Sequence, residues 1–405
     1  MISKKKALIG VVIIVILTTI LNLTLGNMIA LKMGQKVVVT RDTYEFYQTI
    51  KNEYGKMFAL KDFLETNYYR EIEPEHLVEG AIKGMFEGIG DPYTNYLSQR
   101  EFEDLMTRTQ GTYGGIGVIV TPGDDGMVTV VSPIEDTPGE RAGLRTGDKI
   151  MSVNGEPISG DRLDKAVEMM KGEPGTEVRL SIWREGLTEA MDVRIQREEI
   201  RLQTVRSEIV EGNIGYVRIS MFDEKTANDF KTQVDQLQQE NIEGLILDLR
   251  NNPGGLLSQC VEIADYLLGE QVIVYTEDRQ GNREVERSDR REVALPMVVL
   301  VNEGSASASE ILAGAIKDGE RGTIVGTTTF GKGLVQQVKP LDDGTGFKFT
   351  VSEYFTPNGT NIHGTGIEPD VIVERPEGIE GEPVTEADED PQLEKSIEVI
   401  KSKMN

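Results

Sequence analysis

The chain has a single cysteine, Cys260, and only two histidines, His76 and His363. One thiol excludes an internal disulfide, and with no CxxC pair or Cys/His cluster there is no zinc-binding pattern and no metal site to expect. The shortage of histidine weighs more, because most hydrolytic triads need one as their base. Positive charge is scarce as well. Lys and Arg number 43 against 68 Asp and Glu, a formal charge of −25, and such a surface repels nucleic-acid phosphates. Beyond its start the chain is ordinary: 38% apolar and 27% charged over 405 residues, enough for two or three domains with real cores.

The start is the exception. Lys4-Lys5-Lys6 precede residues 7–25, ALIGVVIIVILTTILNLTL, a charge-free run that is apolar on every face. Its length is near the about 20 residues a bilayer-crossing helix requires. No small-residue exit is visible around GNMIALKMG, so the run reads as an uncleaved single-pass membrane anchor rather than a secretory signal. Cytoplasmic lysines would then put residues 30–405 on the extracytoplasmic side.

The remaining texture divides the chain into an anchor (1–30), a helical arm (31–110), a β-rich module (111–200), an α/β core (201–375), and an acidic linker with a closing helix (376–405). The arm carries no evident chemistry and reads as a packing or dimerisation element, making a homodimer plausible. GDPYTNYLS (90–98) is a turn cluster that ends it. In the core, buried-strand runs such as GLILDLR and PMVVLVN alternate with helical stretches, an order that puts functional loops at strand ends.

Within the β-rich module, YGGIGVIVTP and AGLRTGDKIMSVNG resemble a PDZ domain. The resemblance implies that Gly115, Ile116, Gly117 and Val118 present backbone N–H groups to a peptide C-terminal carboxylate while the peptide adds as a strand.

GTTTFGKGLVQQ (326–337) holds Lys332 between two glycines, most of a phosphate-binding loop. The Ser or Thr that would hold magnesium is replaced by Gly333, and LVQQVKPL alternates like a strand where a phosphate loop would open a helix. LILDL, ending at Asp248, imitates a Walker B strand, but nucleotide is not expected and no cofactor is implied. A better partner for the lysine lies in NEGSASASEI. Ser305, Ser307 and Ser309 cluster where a strand turns into a helix, and Ser307-x-x-Glu310 fits a capping box. The same geometry would aim amides and the positive helix end at an oxyanion. A serine nucleophile needs a base, and His363 sits in a glycine-rich loop with no visible orienting acid. A buried lysine can serve in its neutral form. Spacing alone does not choose among the serines.

Taken together, GDPYTNYL, the PDZ segment, LILDLRNNPGG, GSASASEILAGAIKD, GTTTFGKGLVQ and TPNGTNIHGTGIEPD resemble, in family order, the carboxy-terminal processing (tail-specific) serine peptidases. The resemblance covers roughly residues 75–372. It implies Ser307 as nucleophile, Lys332 as general base and Gln336 as the residue orienting the amine. It also implies an oxyanion hole from the Ala308 amide and a glycine amide of Gly254-Gly255. The implied fold is an α/β (α+β) protease core of crotonase-like type with a β-rich PDZ domain and an N-terminal helical arm. The expected activity is endopeptidase cleavage of proteins recognised through exposed C-termini. The alternative is a non-catalytic PDZ scaffold on a decayed protease core.

Overall fold

The computed structural model describes residues 4–25, 31–33, 36–290, 292–374 and 390–404. The chain separates into two compact units, Met1–Ile89 and Gly90–Asn405.

In the first unit, Lys4–Leu25 is helical and is followed by the helices Arg41–Asn67 and Pro74–Glu87. Thr40 caps the second helix by accepting from the Thr43 N–H at 3.2 Å, and Pro74 opens the third, where its missing N–H costs nothing. The expected membrane anchor is overturned. Among the described residues no helix is long and apolar enough to cross a membrane. The extracytoplasmic placement argued from that anchor falls with it. Of GNMIALKMG, only residues 31–33 are described; residues 26–30 and 34, like residues 376–389 of the acidic linker, lie outside the described residues.

The second unit contains a β-rich module and an α/β core. In the module, five strands run antiparallel in the order Met191–Gln196, Glu177–Trp183, Lys149–Val153, Val128–Pro133, Val118–Pro122. Alternate residues of these strands, among them Val178, Leu180, Ile182, Val128 and Val130, point inward with Ala166 and Met170 of the helix Leu163–Met170. A ribbon of Thr112–Gly115 paired with Glu198–Arg201 closes the module's two ends together.

The core sheet has the order Val205–Val210, Ile214–Ile219, Gly244–Asp248, Met297–Val301, Thr323–Gly326, Val371–Ile372, parallel except for its first pair. Gly244–Asp248 and Met297–Val301 are buried throughout, as continuous apolar runs covered on both faces should be. Leu245 and Leu247 face the helices Thr226–Gln239, Leu257–Leu267 and Ala308–Asp318. Ile246, Val298 and Leu300 face the other way, onto Leu393, Ile397 and Ile400 of the C-terminal helix Pro391–Met404. A second sheet aligns Arg283–Arg287, Val272–Asp278, Gly346–Phe355 and Leu334–Pro340, with Asn95–Leu97 also paired to Gly346–Phe355. The mixed α/β core with a β-rich module beside it is the fold class read from the sequence.

Candidate active site

The turn after Met297–Val301 sorts the three serines. Ser305 Oγ accepts from the Asn302 N–H at 3.0 Å and donates to the Leu249 carbonyl at 2.7 Å. Ser309 Oγ donates to the Asn252 carbonyl at 3.0 Å. Both are wholly buried and hold the turn against the neighbouring strand end. Ser307 is half-buried and sits at φ 56°, ψ −114°, immediately before the helix Ala308–Asp318. A side chain held in that region is strained, as at the strand–turn–helix elbows that present a nucleophile.

The glycine loop lies directly against this turn. A Cβ on Gly254, at φ +98°, would stand 2.8 Å from Ser307 Cβ and 2.9 Å from the Ala308 nitrogen, so only glycine permits the approach. The Gly254 N–H is taken, donating to Asn252 Oδ1 at 2.9 Å. The parallel bridge of Phe222 with Gly255 uses the Gly254 carbonyl and the Leu256 N–H. Among the described residues, the N–H groups of Gly255 and Ala308 make no hydrogen bond. Two open amides therefore flank Ser307, one of them at the positive end of a helix.

Lys332 reaches the site on a loop tied down by Glu310. That carboxylate, wholly buried, accepts from the N–H groups of Ser307 (2.8 Å), Gly331 (2.7 Å) and Lys332 (2.8 Å) and from Thr329 Oγ1 (2.6 Å). Burial holds the Lys332 amine below the ordinary lysine range. Lys348 adds to the effect, while Asp91 and Glu310 oppose it. The amine sits 4.8 Å from the centroid of the Tyr93 ring. Among the described residues no hydrogen bond joins it to Ser307 or Gln336. Gln336 lies where the pairing of Leu334–Pro340 with Gly346–Phe355 shifts register, and its buried Nε2 has no partner. His363 turns its ring toward Tyr93, with centroids 6.4 Å apart.

The nucleotide alternative has no support in this geometry. Gly333 is followed by the strand Leu334–Pro340, with no helix end to face a phosphate. Asp248 is wholly buried, accepting from Tyr216 Oη at 2.6 Å and paired with the Arg250 guanidinium at 2.6 Å. No group of metal-competent side chains occurs among the described residues.

Sequence reasoning missed Tyr93 and undervalued Glu310. The signal for Glu310 was present, as the fourth residue of the capping box. Tyr93 lies in GDPYTNYL, a segment read as a turn cluster and as part of the family resemblance, but given no role of its own.

In the β-rich module, Gly115, Ile116 and Gly117 are buried. The Ile116 and Gly117 carbonyls accept from the Gly139 N–H (2.6 Å) and the Ile134 N–H (2.9 Å). Their own N–H groups make no hydrogen bond among the described residues. Ile116, Gly117 and Val118 line a cavity of about 50 Å³ with Val167, Met170 and Lys171 of the facing helix end.

Three family models match the chain: Peptidase family S41 over residues 213–373, a PDZ domain over 129–184, and the activating protease CtpB N-terminal domain over 26–101. A carboxy-terminal-processing protease of Bartonella bacilliformis is 40% identical over 337 residues, covering 80% of this chain and 77% of that one. The carboxy-terminal processing protease CtpA of Bacillus subtilis is 37% identical, with coverage of 85% and 72%. Among solved structures, a photosystem II D1 C-terminal processing protease is 31% identical, with a TM-score of 0.47 and coverage of 83% and 94%.

Proposed function

The chain belongs to Peptidase family S41, the carboxy-terminal processing serine proteases, and from that premise we propose that it cleaves by acyl transfer with a Ser307–Lys332 dyad. In this reading the neutral Lys332 amine accepts the Ser307 hydroxyl proton as Oγ attacks the scissile carbonyl. The amine then returns the proton to the departing nitrogen, and the same base later activates the water that hydrolyses the acyl-enzyme. The oxyanion is met by the open N–H groups of Ala308 and Gly255, with Gly254 supplying close approach. Gln336 accepts a hydrogen bond from the amine and orients it. The single observation that carries the reading is the Glu310 carboxylate, which binds the backbones of Ser307 and Lys332 at 2.8 Å each.

Substrates are proteins or peptides delivered by their C-terminal segments. The unpaired Ile116 and Gly117 amides beside the 50 Å³ cavity support capture of a carboxylate there. Self-association is part of the reading. The Arg41–Asn67 helix leaves Tyr44, Phe46, Tyr47, Phe58 and Phe63 exposed around its circumference, apolar surface that a second copy could cover. The test is cleavage of a peptide substrate by the wild type and by Ser307→Ala. Cleavage retained by Ser307→Ala would overturn the mechanism.

A further inference from the structure

Tyr93 has no part in acyl transfer as described, yet its ring is the group facing the Lys332 amine, at 4.8 Å from amine to centroid. Its position is built with care. Asp91 Oδ1 accepts from the Tyr93 N–H at 2.9 Å, and Oδ2 accepts from Thr94 Oγ1 and Thr350 Oγ1 at 2.6 Å each. The Thr350 N–H in turn donates to Thr94 Oγ1 at 3.1 Å. Thr350 is the residue paired across the sheet with Gln336. The strand paired with the one that carries the amine's proposed orienting partner therefore fixes the turn beneath the amine.

We propose that Tyr93 is a positioning residue for the base: its ring holds the Lys332 ammonium away from Ser307, and the amine leaves the ring as it gives up its proton. The proposal rests on the reading of Lys332 as general base. An aromatic face attracts an ammonium and not a neutral amine. The protonated lysine is thereby kept off the nucleophile, and the neutral lysine is free to turn to Ser307 and to Gln336, whose buried Nε2 has no partner. The other charges around the amine come from every packed element. Asp91 lies in the same turn, Glu310 on the Ala308–Asp318 helix, and Lys348 on the Gly346–Phe355 strand. The His363 ring lies edge-on to the Tyr93 ring, with centroids 6.4 Å apart. Glu353 is engaged by Asn361 Nδ2 at 3.0 Å. The two anions and the ring favour the ammonium, and burial with Lys348 disfavours it.

Removing the ring should therefore lower the lysine pKa, by roughly half to one unit for a partly buried contact. The experiment titrates Lys332 in the full chain by NMR of ¹³Cε-labelled lysine. A Ser307→Ala background prevents turnover, and the resonance is assigned by its loss in Lys332→Arg. Tyr93→Phe, which keeps the ring, should leave the titration in place. Tyr93→Leu and Tyr93→Met should both lower it, and in enzymes retaining Ser307 the alkaline-rising limb of kcat/KM should move to lower pH by the same amount. An unchanged titration in Leu and Met, or an equal shift in Phe, would overturn the role of the ring. A shifted titration with an unmoved limb would instead overturn Lys332 as the base, and Tyr93's part in catalysis with it.

Discussion

The Oε2 atom of Glu310 accepts a hydrogen bond from the backbone N–H of Lys332 at 2.8 Å, and the same atom accepts from the Ser307 N–H at 2.8 Å. One carboxylate oxygen thus fixes two segments that the chain separates by a helix and a strand. The bond to Ser307 is the reciprocal half of a capping box, and an anion in the first turn is favoured by the helix dipole. The bond to Lys332 turns that local cap into a brace across the site.

Glu310→Gln should expose the value of the brace. The amide offers one acceptor where the carboxylate offers two, and its NH₂ faces donors that need an acceptor. Leaving a buried N–H unsatisfied costs about 1–3 kcal/mol, so the melting temperature should fall. Misplacement of Lys332 on the order of 1 Å should lower kcat by up to about 100-fold. The Glu310 charge also raises the Lys332 pKa, so its removal should move the rising limb of the pH–rate profile to lower pH. A variant with wild-type kcat and an unmoved limb would show that Glu310 serves the fold alone.

The dyad predicts a pattern of losses. Ser307→Ala and Lys332→Ala should each abolish cleavage, and the double variant should be little worse because the two residues act as a unit. Lys332→Arg should fail too, since a guanidinium stays protonated. Ser305→Ala and Ser309→Ala should retain substantial cleavage with reduced stability, because their hydroxyls hold the Leu249 and Asn252 carbonyls. Activity should rise with pH through a limb below the ordinary lysine value of about 10.4, because burial favours the neutral amine and the neutral amine is the active form. Robust cleavage by Lys332→Arg would defeat the scheme.

Some of this was legible in the sequence and some could not be. Runs such as GLILDLR and PMVVLVN announce buried strands because burial on both faces demands continuous apolar residues. The strand after Lys332 was readable from its alternation. The choice of Ser307 was not readable from spacing. Ser305 and Ser309 are distinguished by bonds to carbonyls at 249 and 252, which only tertiary folding brings near. Tyr93 meets Lys332 through a pairing of Asn95–Leu97 with Gly346–Phe355, and no local pattern encodes such a contact. The N-terminal run shows the opposite failure, since composition suggested a span that the described helix does not provide.

The β-rich module makes a prediction about chemistry at the substrate's end. If the Ile116 and Gly117 amides hold a carboxylate, amidating a peptide's C-terminus should weaken binding by about 1.5–3 kcal/mol, the worth of a hydrogen bond to a charged group. Gly117→Ala should weaken it as well. A Cβ there would stand 2.3 Å from Thr137 Cβ at a backbone φ of +71°, so the loop must shift. Calorimetry on the Ser307→Ala protein separates binding from turnover. Equal affinity for the acid and the amide would show that this loop does not read C-termini.

The last prediction concerns the C-terminal helix and the loop that precedes the oxyanion amides. Arg250 is 1% exposed and pairs with Asp248 at 2.6 Å and with Asp390 at 2.8 Å. Asp390 immediately precedes the Pro391–Met404 helix, whose Leu393, Ile397 and Ile400 cover one face of the core sheet. Arg250 opens the loop that ends at Gly254 and Gly255, so the helix is bonded to the backbone that shapes the site. Removing one partner of a buried pair costs about 3–5 kcal/mol where the other charge is left uncompensated. Arg250 keeps Asp248, so Asp390→Ala should cost less than that while still lowering the melting temperature. Below that temperature kcat should fall, since Arg250, at the start of the glycine loop, loses the carboxylate that ties it to the helix. Lys401→Ala provides the contrast. It removes an exposed pair that links the same helix to Glu211, in the turn before Ile214–Ile219, and exposed pairs are worth about 0–1 kcal/mol. Stability and kcat should both survive that change nearly intact. If Asp390→Ala keeps wild-type kcat while losing stability, the helix covers the sheet but does not shape the site.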